Sequence, residues 1–350
     1  MSLRGFKDFY LENTLDFLWR QWSALGIAGG GRTEDPWAID PEALLVFSLE
    51  MARYEPRLFD EILDWMVVNG KWIDNQRLRG IIRRKDETVS RLVSAAASFV
   101  SKEAGTYERK WKPFSSLHKC SSNMRAESLF MTKEGQPHPE PRNASKFFLD
   151  HGFLREPVSL RHLTRPVLTA LECNIRFQLR ALFGIGSRAE CILYLLTHEA
   201  GHPSAIAGAI GISFMGARSA LVDLSDSGLV LTRIKGKRRI EYWISRKRWW
   251  EFLAGVNYEE ITVPVWLDWI VLFSALRNVW QVLGEVDKTE SDYMRSSKLR
   301  ESMETIGREF AGSGLDVPAV PGPEITPEKY EREFQNFIIR VLGARDVSGP

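Results

Sequence analysis

Apolar residues recur at helical spacing through most of the chain. Within residues 6–25, Leu15, Leu18 and Trp22 lie three and four residues apart, which predicts one long helix. Similar patterns predict several helices between residues 41 and 103 and further helices over 165–183, 263–283, 291–310 and 327–342. We therefore predict a mainly α-helical protein.

Residues 184–245 carry a more specific pattern. Apolar positions predict a helix that ends near residues 199–201, and Pro203 suits the first turn of a short second helix. Gly211 predicts a tight turn, and Ser213 predicts the cap of a third helix that Gly228 ends. Two β-prone runs, 229–234 and 240–245, then predict a hairpin joined by a basic turn.

This order of elements resembles the winged helix-turn-helix DNA-binding domains of bacterial and archaeal transcription regulators of the MarR and ArsR types. The residues that carry the resemblance are Ile206, Ala207, Ile210–Ser213, Ala220, Leu221, Leu224 and Ser227–Val230. It covers about 60 of the 350 residues. It implies that the third helix enters the major groove of DNA and that the hairpin contacts the backbone or the minor groove.

The resemblance singles out the outward residues of the third helix and the cations of the hairpin. Arg218 is expected to read a guanine edge, and Ser213, at the helix N-terminus, is expected to contact a phosphate. The complete set of predicted DNA-binding residues is Ser213, Phe214, Met215, Arg218, Ser219, Lys235, Lys237, Arg238, Arg239 and Arg246.

Charge and composition narrow the function. The chain is 44% hydrophobic and 26% charged, which excludes wholesale disorder, and its net charge is only +2. Residues 233–248 nevertheless contain eight Lys/Arg and one acidic residue, a local charge of +7, so a local basic patch is expected. The three cysteines are widely separated and the start of the chain does not resemble a signal peptide, which predicts a cytoplasmic protein. The sequence has no uncharged apolar run, so we expect no membrane span.

Three other patterns suggest different functions. His198–His202 matches the His-Glu-x-x-His zinc-protease pattern, but Gly201 and Pro203 disfavour one continuous helix, so we expect His202 to cap the second helix. Gly186-Ser187 resembles a nucleotidyltransferase motif, yet no carboxylate pair for Mg²⁺ follows it. Two basic groups, one from Arg77 to Lys85 and one around Trp111, are interpreted as solvated surface rather than as part of a nucleic-acid footprint.

The resulting prediction has four segments: a helical N-terminal domain over 1–103, an irregular linker over 104–150, a winged helix-turn-helix domain over 151–250 and a helical C-terminal domain over 251–350. The function predicted is a sequence-specific transcription regulator that binds double-stranded DNA as a homodimer, without catalytic residues, metal or cofactor. The alternative is a protein-interaction module that uses the winged helix as a scaffold, such as a partner of a separately encoded toxin or nucleotidyltransferase. Operator and effector are left open.

Overall fold

The computed structural model describes residues 1–28, 37–103, 105, 108–117, 125–236, 239–322 and 324–347. The protein is mainly α-helical, as predicted. It forms two compact units, each described here by itself. The end unit combines Met1–Arg20 with Leu267–Pro350, and the central unit is Gln21–Trp266. The two ends of the chain, which the sequence assigns to separate N-terminal and C-terminal domains, belong to one unit.

The end unit is built from helices. They are α1 (Leu3–Ala24, which continues into the central unit after Arg20), α13 (Trp269–Val286), α14 (Asp292–Gly312) and α15 (Pro327–Val347). The Tyr10 hydroxyl donates to the Leu276 carbonyl at 2.7 Å, and this bond joins α1 to α13. Phe6 meets Phe334 edge to face. Along α13, Trp269, Phe273 and Leu276 are at most 2% exposed.

The central unit contains eleven further α-helices and two small sheets among its described residues. The helices are α2 (Pro41–Met51), α3 (Pro56–Asn69), α4 (Asn75–Ile82), α5 (Glu87–Glu103), α6 (Glu108–Ser115), α7 (Lys146–Leu149), α8 (Ile175–Phe183), α9 (Ser187–Thr197), α10 (Pro203–Ile210), α11 (Phe214–Asp226) and α12 (Arg246–Ala254). The strands are β1 (Glu127–Ser128), β2 (Phe153–Leu154), β3 (Leu231–Lys235) and β4 (Arg239–Trp243). β1 pairs with β2 in parallel, and β3 pairs with β4 antiparallel.

Tertiary contacts shortened two predicted helices. The helix expected over 165–183 starts only at Ile175, because the backbone of 165–167 bonds to distant groups: Arg165 N–H to the Gly26 carbonyl and Val167 N–H to the Asn69 amide oxygen. The helix expected over 263–283 starts at Trp269, where Asp268 caps it. Val265 instead forms a parallel bridge with Trp37 in the central unit.

One of the two basic groups is partly buried, whereas the cations that flank Trp111, Arg109 and Lys112, are exposed. Arg77, which the sequence places among solvated cations, is only 2% exposed. Trp111 is fully buried on α6, a helix inside the segment that was predicted to be irregular. A Cβ built on Gly70 would lie 2.7 Å from the Trp111 indole nitrogen, so only glycine leaves room for that ring.

Six charged side chains form a closed ring inside the central unit, here called the buried charge ring. In order around the ring they are Arg77, Asp40, Arg176, Glu190, Arg180 and Glu42. Charges alternate, and each member is at most 2% exposed. Representative N–O distances are 2.7 Å for Arg180–Glu42 and 2.6 Å for Arg180–Glu190. Three acids and three arginines neutralise one another, which is what burial of so many charges requires.

The buried charge ring joins α2 and α4 to α8 and α9. The Arg77 Nε also donates to the Ile210 carbonyl at 2.7 Å, at the C-terminal end of α10. Burial raises the pKa of Asp40, but attraction to Arg176 and Arg77 outweighs it and holds that pKa well below its ordinary value of 3.8. The ring thus fixes the position of the segment that carries the predicted DNA-binding residues.

No single helix among the described residues is both long and apolar enough to cross a membrane, although α10 and α11, taken as one bent pair, meet those two criteria.

Candidate nucleic-acid interface

The turn between α10 and α11 is built from local sequence. His202 caps α10, with its Nδ1 accepting from the Ser204 N–H at 3.2 Å, and Pro203 occupies the first turn. Gly211 ends α10 at φ +71°, a left-handed conformation that glycine adopts without strain. Ser213 then caps α11 by accepting from the Gly216 N–H at 3.1 Å. The chain changes direction by 119° across this turn, and these predicted caps and turn are confirmed.

The inner faces of the three helices α9, α10 and α11 form one apolar core. Ile192 and Leu195 of α9 are fully buried, as are Ile206, Ile210 and Leu221 of the two following helices. The apolar stripe of each helix therefore packs against the neighbouring helices. The opposite face of α11 carries exposed side chains.

That outer face of α11 carries all the residues predicted to contact bases. Phe214, Met215, Arg218 and Ser219 are exposed, and Ser213 is exposed at the helix start. Arg218 has no carboxylate within ion-pair distance in the part of the chain that the structure describes. The acidic side chain Asp223, one turn further on, is held by Arg188 at 2.7 Å and so is not left as an unpaired negative charge.

The hairpin follows α11 and is antiparallel. Its register places Ile234 opposite Ile240 and Lys235 opposite Arg239, with Gly236 at φ +65° in the turn. Lys237 and Arg238, both predicted to bind DNA, lie outside the described residues. The hairpin differs from the predicted strands by one to two residues at each end.

Gly201 attaches the hairpin to the helices. Its N–H donates to the Tyr242 carbonyl and its carbonyl accepts from the Tyr242 N–H, both at 2.9 Å, like a third strand of one residue. A Cβ at this position would lie 2.7 Å from Ile206 and 2.8 Å from Tyr194. Only glycine therefore permits this close approach, and the glycine that the zinc-protease pattern tolerates poorly has a structural role here.

Ion pairs neutralise part of the expected basic patch. Arg233 contacts Glu199 at 2.8 Å and Glu241 at 3.1 Å, and Lys235 contacts Glu241 at 3.4 Å. Burial raises the pKa of Glu241, but hydrogen bonds from Arg233 and Lys235 outweigh it and leave that pKa below 4.5. Lys247 is likewise paired, with Glu259 at 3.1 Å. The local charge of +7 therefore overstates the charge that this surface offers a ligand.

Three of the described cations after β3 remain exposed without a carboxylate partner in the described ranges. They are Arg239 on β4 and Arg246 and Arg248 on α12. Together with Arg218 they give four unpaired guanidinium groups on α11, the hairpin and α12. Three of these four, Arg218, Arg239 and Arg246, are among the residues predicted to bind DNA. The sequence does not distinguish them from Arg233 and Lys235, since the carboxylates that pair with those two, Glu199 and Glu241, lie on other elements.

The two histidines of the zinc-protease pattern do not share a helix face. α9 ends at Thr197 and α10 begins at Pro203, so both lie in the connection. His198 stacks on Tyr194 with ring centroids 3.8 Å apart, and burial lowers its pKa below 6.5. Within the described ranges, no three His, Cys, Asp or Glu side chains are placed to hold a metal ion together.

No protein-family profile, curated protein or solved structure matches this chain.

Proposed function

We propose that this protein is a DNA-binding transcription regulator whose residues 187–243 act as a winged helix-turn-helix. The observation that carries the proposal is the outer face of α11: it bears Arg218 unpaired, while the inner face is fully used in the core. A helix of this kind fits the major groove, where exposed side chains reach base edges. The tight turn before α11 and the hairpin attached at Gly201 support the same arrangement.

We propose that Arg218 has a different role in binding from Arg239 and Arg246. Arg218 reads a base, because a guanidinium makes two hydrogen bonds to a guanine edge. Arg239 and Arg246 hold phosphates, because they are exposed, unpaired and on the elements that flank α11. Lys235 contributes less, since Glu241 already holds it.

The experiment that tests the proposal is selection from a random duplex pool, with binding then measured by fluorescence anisotropy at several salt concentrations. We expect enrichment of a motif and an affinity that falls steeply with salt. Salt-sensitive binding without an enriched motif would contradict sequence-specific regulation. Absence of binding at low salt would contradict DNA binding altogether.

Removing the phosphate contacts should weaken binding to every sequence alike. For Arg239→Ala combined with Arg246→Ala, we expect the slope of log affinity against log salt to become shallower by about 0.9 per lost contact. The matched control is Lys247→Ala on the same helix as Arg246, because Lys247 is already paired with Glu259. An unchanged slope in the double variant, or an equal change in the control, would show that these arginines do not hold phosphates.

We propose that the regulator acts as a homodimer, because helix-turn-helix proteins read paired half-sites one helical turn apart. Sedimentation equilibrium should give twice the 40.0 kDa mass of the chain. The motif recovered by selection should contain two copies of one half-site. A monomer bound to a single half-site would contradict the dimer and leave the DNA-binding proposal intact.

A second candidate function, a protein-interaction module, is favoured by one exposed apolar region. Phe252 is 66% exposed on α12, beside a cavity of about 470 Å³ that Leu229, Leu231 and Trp249 also line. The rings of Trp249 and Phe252 meet edge to face at 6.3 Å. Apolar residues clustered in this way at a surface are typical of a protein contact.

Phe252→Asp tests the second candidate. If a partner protein co-purifies at fixed stoichiometry, we expect this substitution to abolish the association, because a carboxylate replaces the apolar ring. Tyr293→Asp is the control, since Tyr293 is equally exposed but lies on α14 in the end unit. Retention of the partner by Phe252→Asp would place its binding site elsewhere.

A further inference from the structure

The last turn of α4 lies beside the turn that leads into α11. The Arg77 Nε donates to the Ile210 carbonyl at 2.7 Å, and a Cβ built on Gly80 would lie 3.8 Å from the Gly211 carbonyl oxygen. Arg77 therefore meets the last residue of α10, and Gly80, three residues further along α4, lies next to the residue that follows. At this point α4 and the α10–α11 connection run side by side, and both belong to the central unit.

Arg83 and Arg84 follow Gly80 by one helical turn. Their N–H groups still bond to carbonyls of α4, at 3.1 and 3.2 Å, so the helical path continues to them. Residues three and four apart in a helix share a face, and these two side chains therefore extend the face of α4 that meets Gly211. Both arginines are exposed, and neither has a carboxylate within ion-pair distance in the ranges that the structure describes.

The acidic residues that follow in the sequence are engaged by α5 rather than by these arginines. Asp86 accepts from the Val89 N–H at 3.0 Å, and Glu87 lies in the first turn of α5. Carboxylates at this end of a helix are stabilised by the partial positive charge of its first N–H groups. Residues 79–87 contain four Lys/Arg and two acidic residues, a net charge of +2. This surface therefore favours an anionic partner.

The position relative to α11 identifies the anion. Gly211 precedes Phe214, the first residue of α11, by three residues and so lies within about 11 Å of it. In helix-turn-helix proteins, the helix in the major groove contacts base edges with its N-terminal residues. The major groove is about 12 Å wide, so phosphates line both of its edges close to such a helix. Cations beside the start of α11 are therefore placed where the backbone phosphates would lie.

We propose that Arg83 and Arg84 form an additional DNA-binding element, which binds backbone phosphates at the edge of the groove that α11 enters. This inference rests on the proposed DNA-binding function and adds to it contacts from outside residues 187–243. The sequence places this basic group on a solvated surface, and the contact with the turn is what gives it a position beside α11. Because Arg77 bonds α4 to the end of α10, the two cations are held in place relative to α11.

The test compares the wild-type chain with Arg83→Ala combined with Arg84→Ala, on a duplex recovered by the selection above. We expect the slope of log affinity against log salt to become shallower by about 0.9 per lost phosphate contact. Competition with duplexes changed at each position should give the wild-type order of preference, because phosphates carry no direct sequence information. Hydroxyl-radical footprinting should show that the variant no longer protects part of the backbone beside each half-site.

Two further variants separate a phosphate contact from other causes. Arg83→Lys combined with Arg84→Lys keeps both charges, so it should retain the wild-type salt slope. Lys102→Ala is the control, because Lys102 is also exposed without a carboxylate partner in the described ranges. It lies at the other end of α5, about 22 Å along that helix from Glu87. The alanine variants change only exposed side chains, so their urea midpoints should match the wild type.

The inference is wrong if the double alanine variant keeps the wild-type salt slope, or if its change per charge is no larger than that of Lys102→Ala. In both cases the DNA-binding proposal stands without a contact from α4. A double alanine variant that prefers a different motif would assign these arginines to base reading instead of phosphate binding. Failure of the wild type to bind any duplex at low salt removes both proposals together.

Discussion

Arg180→Met should lower the free energy of unfolding by about 3–5 kcal/mol, the largest stability effect that we expect from a single substitution in this chain. Arg180 bonds to Glu42 and Glu190 inside the buried charge ring and also donates to the Trp72 carbonyl at 2.6 Å. Methionine fills a similar space but leaves the ring with one uncompensated negative charge. A buried ion pair stabilises a protein little more than apolar residues of similar size would. A buried charge that has lost its partner, in contrast, strongly lowers the free energy of unfolding.

Urea unfolding followed by circular dichroism measures this effect. The control is Arg188→Met, because Arg188 and Asp223 form an exposed pair and surface pairs contribute about 0–1 kcal/mol. A shift of the Arg180→Met midpoint no larger than that of the control would show that the ring is not required for stability. The slope of the transition should stay the same, since both proteins expose the same surface on unfolding.

The same substitution should make the protein more sensitive to acid. Burial raises the pKa of Glu42, but attraction to Arg180 and then Arg77 outweighs it, so the folded pKa is below 4.5. A lowered carboxylate pKa contributes stability above the unfolded value and loses it as pH falls through the folded value. Removing Arg180 raises the folded pKa of Glu42. Acid unfolding of the variant should therefore begin at higher pH than that of the wild type.

Arg218→Ala should remove the discrimination at one base pair of the selected motif. A bidentate contact between arginine and guanine is worth about 1–3 kcal/mol against the wrong base, which corresponds to roughly 5- to 150-fold in affinity. Arg218 is exposed and has no acidic partner among the described residues, so its loss should leave stability nearly unchanged. The measurement is competition between the selected duplex and duplexes changed at each position in turn.

Arg218→Lys separates base reading from charge. Lysine keeps the positive charge but lacks the planar pair of donors, so it should preserve the salt slope and still lose most of the discrimination. If Arg218→Ala discriminates between the duplexes as well as the wild type does, another residue reads the base. If it weakens all duplexes equally, Arg218 contacts phosphate.

The sequence predicted the local features of the α10–α11 segment. Pro203, Gly211 and Ser213 act through backbone preferences within a few residues, so the helix start, the left-handed turn and the next cap could be read from the chain. The apolar spacing likewise predicted the buried faces of α10 and α11, since helix periodicity is local. The mainly helical character followed for the same reason.

The sequence could have supplied one further signal. Arg176 and Arg180 lie four residues apart, on the same turns of α8 as the buried Ile175 and Leu179. Charged residues at this spacing within an apolar stripe indicate buried partners. The partners themselves could not be predicted, because Glu42 is 138 residues away from Arg180.

Local patterns thus determined which segments are helical, where the central turn lies and which face of α11 is free. Tertiary structure decided which charges are available to a partner: Arg77 is buried, Arg233 and Lys235 are paired, and Arg218 and Arg239 are unpaired. It also kept residues 165–167 out of the predicted helix through hydrogen bonds to distant residues. The physical reason is range: backbone preference acts over a few residues, whereas burial and ion pairing depend on which distant segments come together.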